Sequence, residues 1–259
     1  MTNVIEQRRE GAVATVILNR PDKMNALNLP VWRGLADAFT GINADASIRC
    51  VILRGAGEQA FAPGADITEF ETLRADAQQA RDYDAVMRKA LALVEACPHP
   101  TVAQIYGPCV GGGLELAAQC DLRLSAASGK FGVPVGKISV VMGQPEIAGV
   151  MRLAGAARTL EILLEARVFG AEEALAMNLI HRILPDDALE AEVQATVKRI
   201  TANAPLVNRW HKEFVRRVQS PAPMSQDELN RAYEFLTTDD YREGMAAFAE
   251  KRRPQFQGR

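Results

Sequence analysis

Phe61-Ala62-Pro63-Gly64-Ala65-Asp66-Ile67 and Gly107-Pro108-Cys109-Val110-Gly111-Gly112-Gly113-Leu114-Glu115 are the two segments on which the reading of this chain turns. Glycines remove the side chains that would keep a ligand away from the backbone, so each segment can carry bare N–H groups into a pocket. A helix beginning after the second cluster adds its positive end at the same place. Together they suggest an oxyanion hole, where preorganised donors meet negative charge developing on a substrate oxygen. Read alone, the same glycines also serve tight turns and close helix packing.

Outward from these segments, strands alternate with helices. Val4 to Arg8 and Val13 to Leu18 read as two strands joined across Glu10-Gly11. Leu29 to Ile42 carries Val31, Leu35, Phe39 and Ile42 at helical spacing, with Pro30 tolerable in the first turn. Val51-Ile52-Leu53 is a buried strand stopped by Gly55 and Gly57, and the pattern returns in a helix from Val86 to Cys97 that Pro98 ends. A strand from Thr101 to Ile105 and a helix from near Gly112 complete an α/β order. From about Ala188 amphipathic helices follow one another, separated by Asn203-Ala204-Pro205 and Ser220-Pro221-Ala222-Pro223, so a core over 1–187 and a helical region over 188–259 are expected. The charged stretch from Glu69 to Asp84 reads either as a mobile loop, able to serve as a lid, or as a plain exposed helix.

A chain of 259 residues with 48% hydrophobic content can bury a substantial core. Its net charge of −2, with both signs mixed along the chain, offers no broad attraction for a polyanion, which argues against nucleic-acid binding. Cys50, Cys97, Cys109 and Cys120 lack both metal-ligand spacing and the density of a disulfide scaffold, so buried reduced thiols are expected. His99, His181 and His211 are dispersed without a companion pattern for zinc or a nucleophilic triad, and structural roles follow. Met1 to Glu10 lacks the apolar core of a signal peptide and no segment is apolar enough to span a bilayer; a cytoplasmic, membrane-free protein is the expectation.

Leu18-Asn19-Arg20-Pro21-Asp22-Lys23-Met24-Asn25-Ala26-Leu27, then Ala60 to Ile67, then Gly111 to Ala117 and Cys120-Asp121-Leu122-Arg123 occur in this order. With the tail Asp239-Asp240-Tyr241-Arg242-Glu243-Gly244-Met245-Ala246-Ala247-Phe248 and Glu250-Lys251-Arg252, the chain resembles the enoyl-CoA hydratase/isomerase (crotonase) superfamily over nearly its whole length. The resemblance implies a crotonase-like spiral of ββα units with a C-terminal helical region at subunit contacts, in a trimer or hexamer. It also implies an acyl-CoA thioester substrate, coenzyme A as part of that substrate, and no tightly bound cofactor or metal. By the same resemblance the N–H groups of Ala65 and Gly112 are the oxyanion donors, each worth roughly 2.7–4 kcal/mol in the transition state. Lys23, Ala26, Pro63, Ala65, Asp66 and Ile67 match positions lining the CoA channel, and Lys251 stands as a further cation supplied by the C-terminal segment of a neighbouring subunit.

Glu115 falls in the first turn of the helix after the glycine cluster, at the position of the first catalytic glutamate of hydratases; the plain alternative is an acid favoured by the helix dipole. Burial would raise its pKa, while the helix terminus and hydrogen bonds would oppose the shift. The hydratase pattern places a second glutamate directly after Phe-Gly-x-Pro, but here Phe131-Gly132-Val133-Pro134 is followed by Val135, which holds no proton. Glu146, in Gly143-Gln144-Pro145-Glu146, stands near a point where some isomerase and hydrolase relatives carry an acid; Pro and Glu there equally make an ordinary helix start. The reading is an acyl-CoA enzyme working through a thioester enolate. Hydration is its default, isomerisation the nearest rival, and hydrolysis, decarboxylation or C–C cleavage, or bare acyl-CoA binding, the alternatives.

Overall fold

The computed structural model describes residues 3–259. β1 (Ile5–Glu10) and β2 (Val13–Leu18) form an antiparallel hairpin whose turn passes through Gly11 at φ +55°. Pro30 lies in the first turn of α1 (Leu29–Ala44), where no N–H is needed, and the Asn28 side chain accepts from the Val31 N–H at 3.0 Å. β3 (Cys50–Gly55) follows, then α2 (Phe70–Leu73) and α3 (Ala77–Glu95).

The span from Glu69 to Asp84 is therefore mostly helical, two helices joined by a bend at residues 74–76, and α3 begins nine residues before the expected Val86. Asp76 starts it, its carboxylate accepting from the N–H groups of Gln78 and Gln79 at 2.8 Å each. The first turn of α3 is polar, and its buried positions begin only at Tyr83 and Met87, so an apolar stripe is not visible where the helix starts.

Beyond α3 come β4 (Thr101–Ile105), β5 (Pro108–Val110), α4 (Gly112–Ala118), β6 (Leu122–Ala126) and β7 (Lys130–Gly132). α5 (Gln144–Glu165) is broken at Gly155, whose φ of 74° and ψ of 166° are outside the helical range. β8 (Phe169–Gly170), α6 (Ala171–Ala176), β9 (Arg182–Leu184), α7 (Leu189–Thr201), α8 (Pro205–Val218), α9 (Gln226–Asn230) and α10 (Asp239–Ala249) complete the chain. No helix among the described residues is long and apolar enough to cross a membrane.

The strands form a six-stranded sheet in the order β1-β2-β3-β4-β6-β9, parallel from β2 onward, and a three-stranded sheet β5-β7-β8. A parallel sheet needs cover on both faces, which is why β3 reads as an unbroken apolar run. Val51 and Leu53 point into one cluster with Val31, Leu35 and Phe39 of α1 and Leu91 of α3. Cys50 and Ile52 point into another with Leu189, Val193 and Val197 of α7. α7 thus seals the sheet, whereas α8 fully buries only Pro205.

β4 to β5 and β6 to β7 each pass from the large sheet to the small one. At Gly107 (φ +51°), between β4 and β5, any Cβ would collide with the Gln59 carbonyl. The first glycine segment joins this small layer: the Ala62 N–H donates to Pro108 O at 2.9 Å and the Val110 N–H to Ala62 O at 3.0 Å. Gly113 packs so tightly on the same strand that a Cβ there would run into the Ala62 carbonyl oxygen. Gly113→Ala is expected to cost about 3 kcal/mol of unfolding free energy, read from urea melts, with lost activity following the shift of α4. A variant within about 0.5 kcal/mol of wild type would show that this contact is slack.

Candidate active site

The ladder through Ala62 lays the two glycine segments side by side at the mouth of a cavity of about 390 Å³. Gly64 (φ +114°) and Gly111 (φ +52°) take backbone conformations that residues with a Cβ rarely adopt, and both turn the chain toward this cavity. A Cβ built on Gly112 would lie 3.9 Å from the Ala65 nitrogen, and one on Gly64 would lie 3.8 Å from the Gly112 nitrogen. The two amides therefore border one small volume. Among the described residues neither N–H has a protein acceptor: the bridge to Leu27 uses Gly64 O and the Asp66 N–H, and Gly112 is the first residue of α4, with no helical carbonyl one turn back.

Glu115 lines the same cavity from α4, its own N–H bonded to Gly111 O at 2.9 Å. It is 7% exposed, and its carboxyl is pushed up to about 7. Burial is the largest cause; the negative charges of Glu146 and Asp84 add to it, and Arg74 opposes it. The group is poised to change protonation state near neutrality, which is what a proton carrier requires.

Glu146 enters this cavity too, from the first turn of α5, with 3% exposure. A glutamate at that helix position ordinarily reaches back to the backbone N–H of the residue before the helix. Here Oε1 instead accepts from Arg88 Nε of α3 at 2.6 Å, while Oε2 is buried without a partner among the described residues. Room for this arrangement comes from Gly143, since a Cβ there would collide with Oε2. Val135 forms part of the apolar wall, so the carboxylate absent at that position is matched by one arriving from α5.

The stretch read as a lid or an exposed helix supplies a further wall, with residues that the sequence did not single out. Arg74, Tyr83, Asp84 and Met87 all line the cavity. Arg74 pairs with Asp84 at 3.0 Å, and its guanidinium lies 4.9 Å and 5.2 Å from the ring centres of Phe70 and Tyr83. Asp84 stands 3.7 Å from Arg88, which completes a chain of alternating charge running to Glu146. The only local signal was the four-residue spacing of Asp84 and Arg88, which any solvated helix face can show.

Of the positions matched to a CoA channel, Pro63, Ala65 and Ile67 line the cavity. Lys23, Ala26, Asp66 and Lys251 lie outside its lining. Asp66 has structural work: its carboxylate accepts from Thr68 Oγ1 at 2.7 Å and pairs with Arg20 at 2.9 Å, and these bonds hold its pKa below the ordinary carboxylate range. Arg20 also donates to Ala26 O at 2.7 Å, tying the first motif to the first glycine segment. Lys23 and Lys251 are exposed. The four cysteines are free and buried, and burial pushes the Cys120 thiol up to about 12. His99 and His181 are lowered to about 4, chiefly by burial, and bond to backbone, as structural imidazoles do.

The family model described as Enoyl-CoA hydratase/isomerase matches residues 8–259. The chain belongs to this family. It is similar to a probable enoyl-CoA hydratase of Mycobacterium tuberculosis, with 38% identity over 96% of this chain and 95% of that protein. A crotonyl-CoA hydratase of Syntrophomonas wolfei is 32% identical over 98% of this chain and 97% of its own length. Among solved structures, an enoyl-CoA hydratase/carnitine racemase from Magnetospirillum magneticum superposes with a TM-score of 0.98 at 63% identity, covering 100% of this chain and 97% of that one. The fold is thus that of the hydratase/isomerase family, and the spiral of strand, strand and helix described above is its architecture.

Proposed function

We propose that this protein hydrates a 2-enoyl-CoA thioester, with Glu115 and Glu146 as the proton-handling pair and the N–H groups of Ala65 and Gly112 as the oxyanion donors. The observation that carries the reading is that both carboxyl groups border the one cavity onto which two unpaired backbone donors converge. The thioester oxygen takes the two N–H bonds. The free Oε2 of Glu146 accepts the proton of a water as its oxygen bonds to C3, and the electron pair of the double bond moves through C2 onto the thioester oxygen. Protonated Glu115 then delivers its proton to C2 and the carbonyl re-forms. One water has been added, and exchange with solvent restores both carboxyl groups. The apolar wall that includes Val135 keeps other water from the enolate.

The CoA portion is proposed to run along Pro63, Ala65 and Ile67 toward Lys23, with Ala26 and Asp66 shaping the loop and Lys251 reaching the phosphates of a neighbour's ligand. No tightly bound cofactor takes part in this scheme. Assembly into trimers, or hexamers of paired trimers, through the 188–259 region is supported by its unburied apolar side chains, Phe248 at 82% exposure among them. A cytoplasmic enzyme is part of the same proposal. Isomerisation needs only Glu115 to carry a proton between C2 and C4, and Val135 favours it by leaving the usual second acid's place apolar. A panel of 2-enoyl-, β,γ-enoyl- and 3-hydroxyacyl-CoAs, with product mass and double-bond position read out, tests the proposal. Hydration of a 2-enoyl-CoA is expected, and turnover of β,γ-enoyl-CoA alone would replace hydration with isomerisation.

A further inference from the structure

Glu146 sits in a cavity wall where a carboxylate needs a counter-charge, and among the described residues only one of its oxygens has a partner. That partner is Arg88, one side chain of which serves two acids: Nε holds Glu146 Oε1 at 2.6 Å, and its Nη2 stands 3.7 Å from Asp84 Oδ2. Asp84 is in turn fixed by Arg74 at 3.0 Å, and Arg74 is wedged against the Phe70 and Tyr83 rings. Oε2 packs against Gly143, where a Cβ would collide with it, so the hydrogen bond that fixes the carboxylate is the one from Arg88 to Oε1.

We infer that Arg88 is the positioning residue for Glu146: its side chain, braced by Asp84 and Arg74, binds one carboxylate oxygen so that the other is presented to the reacting carbons. The inference rests on the reading that Glu146 works with Glu115. Arg88 is 45% exposed and is not among the residues lining the cavity, so its role passes through the carboxylate and not through contact with the acyl group. Among the described residues, Glu115, Asp84, Arg74 and Lys137 are the other charged groups bordering this cavity, and only Arg88 bonds the Glu146 carboxylate. Losing the clamp frees the carboxylate to swing by an ångström or more, a displacement that costs about 100-fold in rate when the group takes part in the chemistry.

The test is a kinetic cycle of Arg88→Gln, Glu146→Gln and the double variant, with Arg88→Lys as the conservative change, on the enoyl-CoA that the wild type turns over. Arg88→Gln is expected to lower kcat about 100-fold with KM within about threefold, and Arg88→Lys to recover about tenfold of that loss. In the Glu146→Gln background, Arg88→Gln is expected to cost less than about twofold more, because the group it positions is already gone. If Arg88→Gln does not fold, the lysine variant and its double with Glu146→Gln read the same coupling. Full activity in both Arg88 variants, losses that multiply in the double variant, or a rise in KM as large as the fall in kcat would overturn the inference. Full activity of Glu146→Gln itself would instead remove the pairing with Glu115.

Discussion

Glu115→Gln lowers kcat by about 1,000-fold and leaves KM for the acyl-CoA within a factor of about three. The substitution keeps size and polarity at a site that is 7% exposed, so the cavity retains its shape while the exchangeable proton is lost. The binding contacts proposed for the thioester and the CoA portion come from the glycine segments, Lys23, Ala26 and Lys251, and are untouched. With the wild-type carboxyl lifted to about 7, hydration is expected to fall as pH rises through neutrality, because that direction draws on the protonated form. Dehydration of the 3-hydroxyacyl-CoA is expected to fall in the opposite sense, as pH drops through the same value. Wild-type turnover in the glutamine variant, measured with stopped assays on both directions, would take Glu115 out of the mechanism.

The same group couples to stability. A carboxyl whose native pKa is about 7 instead of 4.5 keeps its proton in the folded chain after the unfolded chain has released it. Its contribution is complete below about pH 4.5 and is lost as pH rises through 7, by about 3 kcal/mol in total. Glu115→Gln has no proton to lose. The variant's melting temperature is therefore expected to gain on the wild type between pH 5 and pH 8, and a constant gap would show that the carboxyl is not desolvated in the native state.

Sequence patterning disclosed the elements whose cause is local. The hairpin turn at Gly11, the N-terminal proline of α1 and the apolar run of β3 each follow from a few adjacent residues, and each occurs where those residues stand. The ordered glycine motifs carried the family, and with it the fold. What stayed hidden depended on contacts between distant parts of the chain. The polar first turn of α3 is helical because Asp76 caps it and Tyr83 and Met87 anchor it below, a fact no periodicity over Glu69 to Asp84 expresses. Arg88 looked like any solvated arginine, and its meaning comes from Glu146, 58 residues away. Glu146 itself could not be resolved from a helix-start residue, because the same Pro-Glu pair satisfies both roles until the side chain's direction is known.

That direction makes the last prediction sharp. A glutamate serving only its helix would point toward the preceding backbone or to water, and its loss would move stability slightly while sparing activity. The observed carboxylate is 3% exposed in the wall of the Glu115 cavity, with one oxygen clamped and one free. Glu146→Gln is accordingly expected to lower the hydration kcat by about 100-fold or more, since the amide cannot take a proton from water. Stability is expected to change by only about 1 kcal/mol, because the guanidinium left behind is 45% exposed and water solvates it. Migration of a double bond from the β,γ to the α,β position uses Glu115 alone, so that rate is expected to fall less than about tenfold in the same variant. The ratio of the two rates separates the chemistries. A large loss of hydration with isomerisation spared assigns Glu146 to water, equal losses assign it to holding the acyl group or the cavity's shape, and an unaffected hydratase returns the residue to its helix.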